Sequence, residues 1–352
     1  MEIQDWMRLA VEKETSDIFI GVGRSVSFKI DGALVPQDDK VILPPEAEKM
    51  ITDLYAMARR TMDRYLERGD DDFPVSIPNL ARFRVSTYRQ RGTMAAVIRV
   101  VLFDIPDYKE INIPEEVMQI ASENHGLVLV TGSAGSGKTT TLACIIHAIN
   151  QTRNCHIITL EDPIEFLHRD KKSLISQREI STDTESYITA LRSCLRQAPD
   201  IILLGEMRDY ETIKAAMTAA ETGHLIISTL HTIGAVSTID RIIDVFPAEQ
   251  QQQIRIQLPM ILRTVVTQQL LPTKTGGLVP AFEIMHLNTA IRNLIRESKT
   301  HQIDGIIQTS ANEGMMNMDM SIFKLYQNGH ITAETAIDYS MNSDQMARRV
   351  KT

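Results

Sequence analysis

Residues 126–142 read Gly126-Leu127-Val128-Leu129-Val130-Thr131-Gly132-Ser133-Ala134-Gly135-Ser136-Gly137-Lys138-Thr139-Thr140-Thr141-Leu142. An apolar run of strand length, Leu127 to Val130, leads into G-x-x-x-x-G-K-[ST] at Gly132 to Thr139, and a helical pattern opens near Thr140. The order strand, glycine-rich loop, helix separates this stretch from an ordinary glycine-rich turn. Glycines at 132, 135 and 137 let successive backbone N–H groups point inward, and the following helix adds partial positive charge at its N-terminus. The stretch therefore predicts a phosphate cradle for ATP built from Gly132, Ser133, Ala134, Gly135, Ser136, Gly137, Lys138, Thr139 and Thr140. Lys138 supplies an ammonium for the β- and γ-phosphates, and the Thr139 hydroxyl is placed to ligate Mg²⁺.

Outward from this loop the pattern continues as strand and helix in alternation. The strands read as uninterrupted apolar runs at Leu127 to Val130, Ile157 to Leu160, Ile201 to Leu204 and Leu225 to Ser228. Runs of that kind are central strands of a parallel sheet covered by helices on both faces. Acidic residues at the ends of such strands stand where a phosphate loop opens, and hydrolysis asks for a carboxylate near magnesium and another to orient water. Glu161, Asp162 and Glu165 follow the second strand, and Glu206 follows the third after Gly205. Glu161 and Asp162 read equally well as helix caps or a solvated turn, whereas Glu165 and Glu206 are the stronger candidates. His224 and His231 flank the fourth strand and read either as reporters of the γ-phosphate or as structural histidines; zinc is disfavoured, because no Cys or third His stands nearby.

The first hundred residues follow another pattern. A helix begins near Trp6, strands fall around Ile18 to Ile20 and Val26 to Ile30, and a helix is expected from Pro45 to about Leu66. Lys29-Ile30-Asp31-Gly32 reads as a hairpin turn, and a second strand pair runs Arg82 to Tyr88 and Ala95 to Val100 around Arg91-Gly92. The expected division is a small α/β domain at 1–102, a linker at 103–114, an ATPase core at 115–272 and a mostly helical C-terminal subdomain at 273–352. From about Ala248 helices are expected, interrupted at Pro259, with one strand pair near Val279 to Leu287. The methionines from Met315 to Met320 read as core filling or as a soft interaction surface.

Composition narrows the function. The chain has 352 residues, 37 Lys and Arg against 45 Asp and Glu, and a net charge of −8, which disfavours generic nucleic-acid binding. The apolar runs fall short of the roughly 20 residues a membrane helix needs. No secretory signal pattern opens the chain, so a cytoplasmic location is expected. Cys144, Cys155 and Cys194 offer neither a disulfide framework nor a CxxC zinc site, and read as small apolar side chains.

The motifs together resemble a known family. The phosphate loop, EDPIEF at Glu161 to Phe166, QRE at Gln177 to Glu179, LRQAPDIILLGEMRD at Leu195 to Asp209 and TAAETGHLIISTLHT at Thr218 to Thr232 resemble the secretion-type hexameric ATPases. The resemblance extends to ARFRVS at Ala81 to Ser86, IDVFPAE at Ile243 to Glu249 and AIRNLIRE at Ala290 to Glu297, the last pointing to the branch that powers type IV pilus retraction. It implies a PAS-like N-terminal domain ahead of a RecA-like P-loop core with a helical C-terminal extension. It also implies a Mg²⁺-dependent homo-hexamer working at the cytoplasmic face of the inner membrane on a pilus platform protein. Carried over by position, Glu165 is the glutamate that activates water, Glu206 the carboxylate near magnesium, Lys138 a catalytic cation, and His224 and His231 a histidine box. Arg82, Arg84 and Arg99 are candidate charge suppliers, with a solvated strand face as the alternative reading of each. Ser133-Ala134 in place of Pro-Thr, Phe19 in place of His, and Pro259 depart from the family pattern. An accessory or assembly ATPase of the same superfamily, and a nucleic-acid translocase with a RecA-like core, are the alternatives.

Overall fold

The structure is a computed structural model that describes residues 1–30, 32–78, 80–101 and 105–351. The chain forms two compact units, Met1–Asp104 with Glu165–Leu167, and Ile105–Ile164 with His168–Thr352.

In the first unit, α1 (Ile3–Glu12) precedes β1 (Asp17–Gly21), β2 (Ser27–Ile30) and β3 (Ala33–Pro36). Next come α2 (Pro44–Met57), α3 (Asp63–Arg68), β4 (Asp70–Ile77), β5 (Ala81–Gln90) and β6 (Thr93–Val101). The strands make one antiparallel sheet in the order β3-β2-β1-β6-β5-β4. Alternation decides which face is covered: Ala81, Phe83 and Val85 point inward from β5, toward Trp6 and Met7 of α1 and Ile51 and Leu54 of α2. The single helix expected from Pro45 to Leu66 is two helices, because the chain leaves α2 through Arg59 at φ +50° before α3 begins. β4 is a strand the sequence conceals. Its inward positions are Asp71, Phe73, Val75 and Ile77, and the Asp71 carboxylate accepts two bonds of 3.0 Å from the Arg60 guanidinium. That fork gives a buried carboxylate the paired partner it requires. At the expected hairpin turn Gly32 has φ +80°, and Asp31 lies outside the described residues. Residues 102–104, where the first domain was expected to end and the linker to begin, also lie outside them.

The second unit holds α4 (Glu115–Met118), β7 (Gly126–Thr131), α5 (Lys138–Thr152), β8 (His156–Glu161), β9 (Leu174–Glu179), α6 (Tyr187–Cys194), β10 (Ile201–Leu204), α7 (Tyr210–Glu221) and β11 (Leu225–Leu230). It continues with α8 (Ala235–Asp244), α9 (Ala248–Ile261), β12 (Leu262–Pro272), β13 (Leu278–His286), α10 (Thr289–Arg296), α11 (Ile303–Thr309), α12 (Met318–Gln327), α13 (Ala333–Tyr339) and α14 (Ser343–Arg349). Seven strands form one sheet in the order β13-β12-β7-β11-β10-β8-β9, parallel throughout except for β13. The expected α/β class and its four apolar central strands are present. One face presents Leu127, Leu129, Ile158, Leu160, Ile202 and Ile226 to the helices from α6 to α11. The other presents Val128, Val130, Ile157, Leu203 and Ile227 to α4 and α5. A strand buried on both faces has no polar position to spare, which is why these runs are unbroken in sequence.

Two expectations for the last third change. Pro259 does not interrupt α9; it sits in the last turn, where the missing N–H removes one bond and the helix ends two residues later. The segment after it, expected to be helical, is the eleven-residue strand β12. β13 pairs with it from Leu278 opposite Pro272 to His286 opposite Thr264, so the expected boundary at 272/273 falls between paired strands of one sheet. Cys144 and Cys194 are buried and all three cysteines are free. Burial pushes the Cys144 thiol up to about 11, in keeping with a small apolar role. Met315 and Met318 are buried in the core.

Candidate active site

The loop between β7 and α5 is shaped by what lies behind it. A Cβ on Gly132, where φ is +138°, would stand 2.2 Å from the Gln268 carbonyl oxygen of β12, so no side chain fits. At Gly137, with φ +87°, a Cβ would meet the Gln268 amide nitrogen at 2.8 Å. The same Gln268 side chain accepts a bond of 2.7 Å from the Thr141 hydroxyl in the first turn of α5. Thr131 and Thr267 hydroxyls meet at 2.8 Å one residue earlier on each strand. The loop is thus seated on β12, and Gly132→Ala is expected to lower nucleotide affinity at least about tenfold and stability by about 1–3 kcal/mol through overpacking. Nucleotide titration and thermal unfolding of that variant check both.

Lys138, the first residue of α5, is 8% exposed, and its ammonium donates to the carbonyls of Gly132 at 2.9 Å and Ser133 at 2.7 Å. Burial lowers its pKa, and the negative charge of Glu206 acts against that shift. Thr139 and Thr140 follow it, half-buried, in the first turn. The buried Ser136 hydroxyl has no hydrogen-bond partner, so the loop holds a polar atom that a phosphate oxygen satisfies. With the glycine backbone and the helix N-terminus, the residues present fit a nucleotide phosphate.

Glu206 follows β10 at the end of the sheet where the loop follows β7, since β10 and β7 run parallel on either side of β11. Its side chain is 14% exposed and lies 2.6 Å from Arg208 Nε and 3.5 Å from His231 Nε2. Gly205 before it leaves little room for a side chain, because a Cβ there would meet the Tyr187 hydroxyl at 2.9 Å and the Leu160 carbonyl at 3.1 Å. Burial raises the Tyr187 pKa, and the charges of Glu206, Asp162 and Glu161 raise it further, which locates this phenol among the site's carboxylates. Glu161 is buried and accepts from the Thr159 hydroxyl at 2.6 Å and the Gln177 amide at 3.2 Å.

Glu165 is exposed in the segment after β8. That segment is fastened on both sides by side chains of β9: Ile164 N–H donates to Glu179 at 3.1 Å, and His168 N–H donates to Gln177 at 2.8 Å. His231 is brought to Glu206, but His224 is not. It stands at the start of β11, bonded at 3.1 Å to both the Ala219 carbonyl and the Thr222 hydroxyl. With the six residues of β11 between them, the two histidines are seven steps apart, about 23 Å at roughly 3.3 Å per residue. Arg82, Arg84 and Arg99 lie on neighbouring strands of the first unit, with Arg84 opposite Arg99 in register. Arg99 donates to Asp17 at 2.9 Å, and a cavity of about 210 Å³ lined by Asp17, Asp72, Arg84, Ser86, Val97 and Arg99 opens on that face. Among the described residues no group of three or more His, Cys, Asp or Glu side chains could hold a metal by itself. A magnesium that draws most of its oxygens from phosphate and water needs no such group.

Residues 2–276 match the family model described as type II/IV secretion system protein. The chain belongs to this family, as a PilT-type secretion ATPase. It is 46% identical over 303 residues to a twitching motility protein of Neisseria gonorrhoeae, covering 86% of this chain and 80% of that one. It is 42% identical over 341 residues to the type IV pilus retractation ATPase PilT of Pseudomonas aeruginosa, covering 96% and 97%. A crystal structure of the pilus retraction motor PilT with bound ADP superposes with a TM-score of 0.91 at 41% identity, over 99% of each chain. Among the described residues of this PilT-type ATPase no helix is long and apolar enough to cross a membrane.

Proposed function

We propose that this PilT-type ATPase hydrolyses ATP to power retraction of a type IV pilus. The observation that carries the reading is the near end-to-end identity of 42% with the PilT of Pseudomonas aeruginosa, on a chain whose phosphate loop is fully formed. Lys138 exchanges its loop carbonyls for phosphate oxygens, and the backbone N–H groups of 132–137 hold the same anion. Glu165 takes the proton of the attacking water. Glu206 holds the metal side of the phosphates with Thr139, and His231, in contact with Glu206, responds to the phosphate charge there. Thr139 and Glu206 offer the hard oxygen ligands that magnesium prefers, and the bound ion supplies neutralisation of phosphate charge. Arg82 and Arg84 are proposed as further phosphate-charge suppliers, whereas His224, at the opposite end of β11 from His231, takes the structural role that its bonds to Ala219 and Thr222 give it.

The working form is proposed to be a homo-hexamer at the cytoplasmic face of the inner membrane, acting on the platform protein of the pilus. Turnover measured against oligomer mass, with and without Mg²⁺, tests the enzyme and its ring together. Removing Mg²⁺ with a chelator is expected to suppress turnover at least about 100-fold and to restore it on back-titration. Turnover that ignores the metal, or a monomer of full activity, would remove the reading. Cells lacking the chain are expected to keep their pili and lose retraction.

A further inference from the structure

Glu283 is one of the few carboxylates the fold turns inward. It lies on β13 opposite Thr267 of β12, one residue before the position that seats the phosphate loop, and it is 8% exposed. Its Oε1 accepts the N–H of Ala235 at 2.7 Å, and the N–H of Met318 faces the same carboxyl. Ala235 and Met318 are the first residues of α8 and α12, each ten residues long, so the carboxyl meets two helix N-termini. Burial pushes the Glu283 carboxyl up, Asp304 and Asp319 push it the same way, and the two N–H groups hold it down. The two donors partly offset the penalty of burying a carboxylate.

Between β11 and α8 the chain passes through 231–234, and this short turn starts with His231. Thr238 donates to the Gly234 carbonyl at 2.8 Å, and its hydroxyl meets that of Thr232 at 2.7 Å, so the turn is tied to the first turns of α8. Gly234, at φ +89°, closes it, and a Cβ there would lie 3.7 Å from Glu283 Oε1. The His231 ring reaches Glu206 at 3.5 Å from the other end of the same turn.

We infer that Glu283 is a positioning residue that pins the start of α8 and so holds His231 against Glu206, with the start of α12 facing the same carboxyl. The inference rests on the reading of His231 and Glu206 as parts of the ATPase site. Glu283→Ala in the full chain is expected to lower kcat about tenfold, the scale of a lost hydrogen bond to a charged group, and to leave KM for ATP within about twofold. Glu283→Gln recovers part of that loss, because its amide oxygen still accepts from Ala235. Ser321→Ala removes the hydroxyl that accepts Phe282 N–H at 3.0 Å, disturbing the same β13–α12 contact away from Ala235, and leaves kcat unchanged. In a His231→Ala background the Glu283 substitution adds less than about twofold, since a residue that acts through another loses its effect when that residue is gone. Additive losses, or a fall of kcat in Ser321→Ala equal to that in Glu283→Ala, would overturn the positioning role and leave the site reading intact. His231→Ala with unaltered kcat would remove the site reading and the inference together. Should Glu283→Ala not fold, the same cycle run with Glu283→Gln decides by the same criterion.

Discussion

Glu165→Gln is expected to bind ATP as tightly as the parent chain and to turn it over about 10²–10⁴-fold more slowly, the range a positioned general base contributes. The amide is the same size as the carboxylate and cannot take a proton from water. Two features make the variant a clean test. Glu165 is exposed, so the substitution leaves no buried group unpaired. The backbone on both sides is held by other side chains, through Ile164 N–H to Glu179 and His168 N–H to Gln177, so the segment keeps its course when residue 165 changes. Nucleotide titration reads the binding and single-turnover hydrolysis reads the chemistry. Hydrolysis at the parent rate would move the base elsewhere, with the buried Glu161 and the exposed Asp162 next to be tried.

Lys138→Ala is expected to strike both steps. The ammonium is the charge the loop keeps in reserve, placed on the Gly132 and Ser133 carbonyls at 2.9 and 2.7 Å and nearly closed off from solvent. A cation in that setting is worth more to a phosphate than it would be in water, and losing one such donor costs about 10²–10³-fold in turnover. ATP affinity falls with it, because the same contact is made before hydrolysis begins. Lys138→Arg is no substitute: a planar fork is larger than an ammonium and does not fit between the same two carbonyls. A Lys138→Ala chain that retained parental KM and kcat would mean that the loop does not hold the phosphates.

How much of this was legible in the sequence depends on whether local or distant residues supplied the reason. The phosphate loop and the four central strands were legible, because a glycine that needs positive φ and a strand buried on both faces are written in adjacent letters. β4 was not, since an acidic residue at an inward position reads as loop until Arg60 is seen to pair with it. β12 is hidden by Pro259, which reads as a stop in the sequence but sits in the last turn of α9, although Thr264-Val265-Val266-Thr267 is a β-branched run that argues for a strand. The separation of the two histidines could have been foreseen. In a parallel sheet a residue ahead of a strand stands at the end opposite to the loops that follow it, and His224 is ahead of β11 while His231 is behind it. Gln268 and Glu283 carry no local signal at all; Gln268 accepts from Thr141 and Glu283 from Ala235, at sequence separations of 127 and 48.

The phosphate signature is eight consecutive residues on paper and two strands in space. Thr131 and Thr267, which touch behind the loop, are 136 residues apart in the chain. Severed ahead of Leu262, the protein would keep every letter of the motif and lose the surface that gives those letters their shape. A substitution on β12 behind the loop is therefore expected to be felt at the nucleotide, although β12 contributes no letter to the motif.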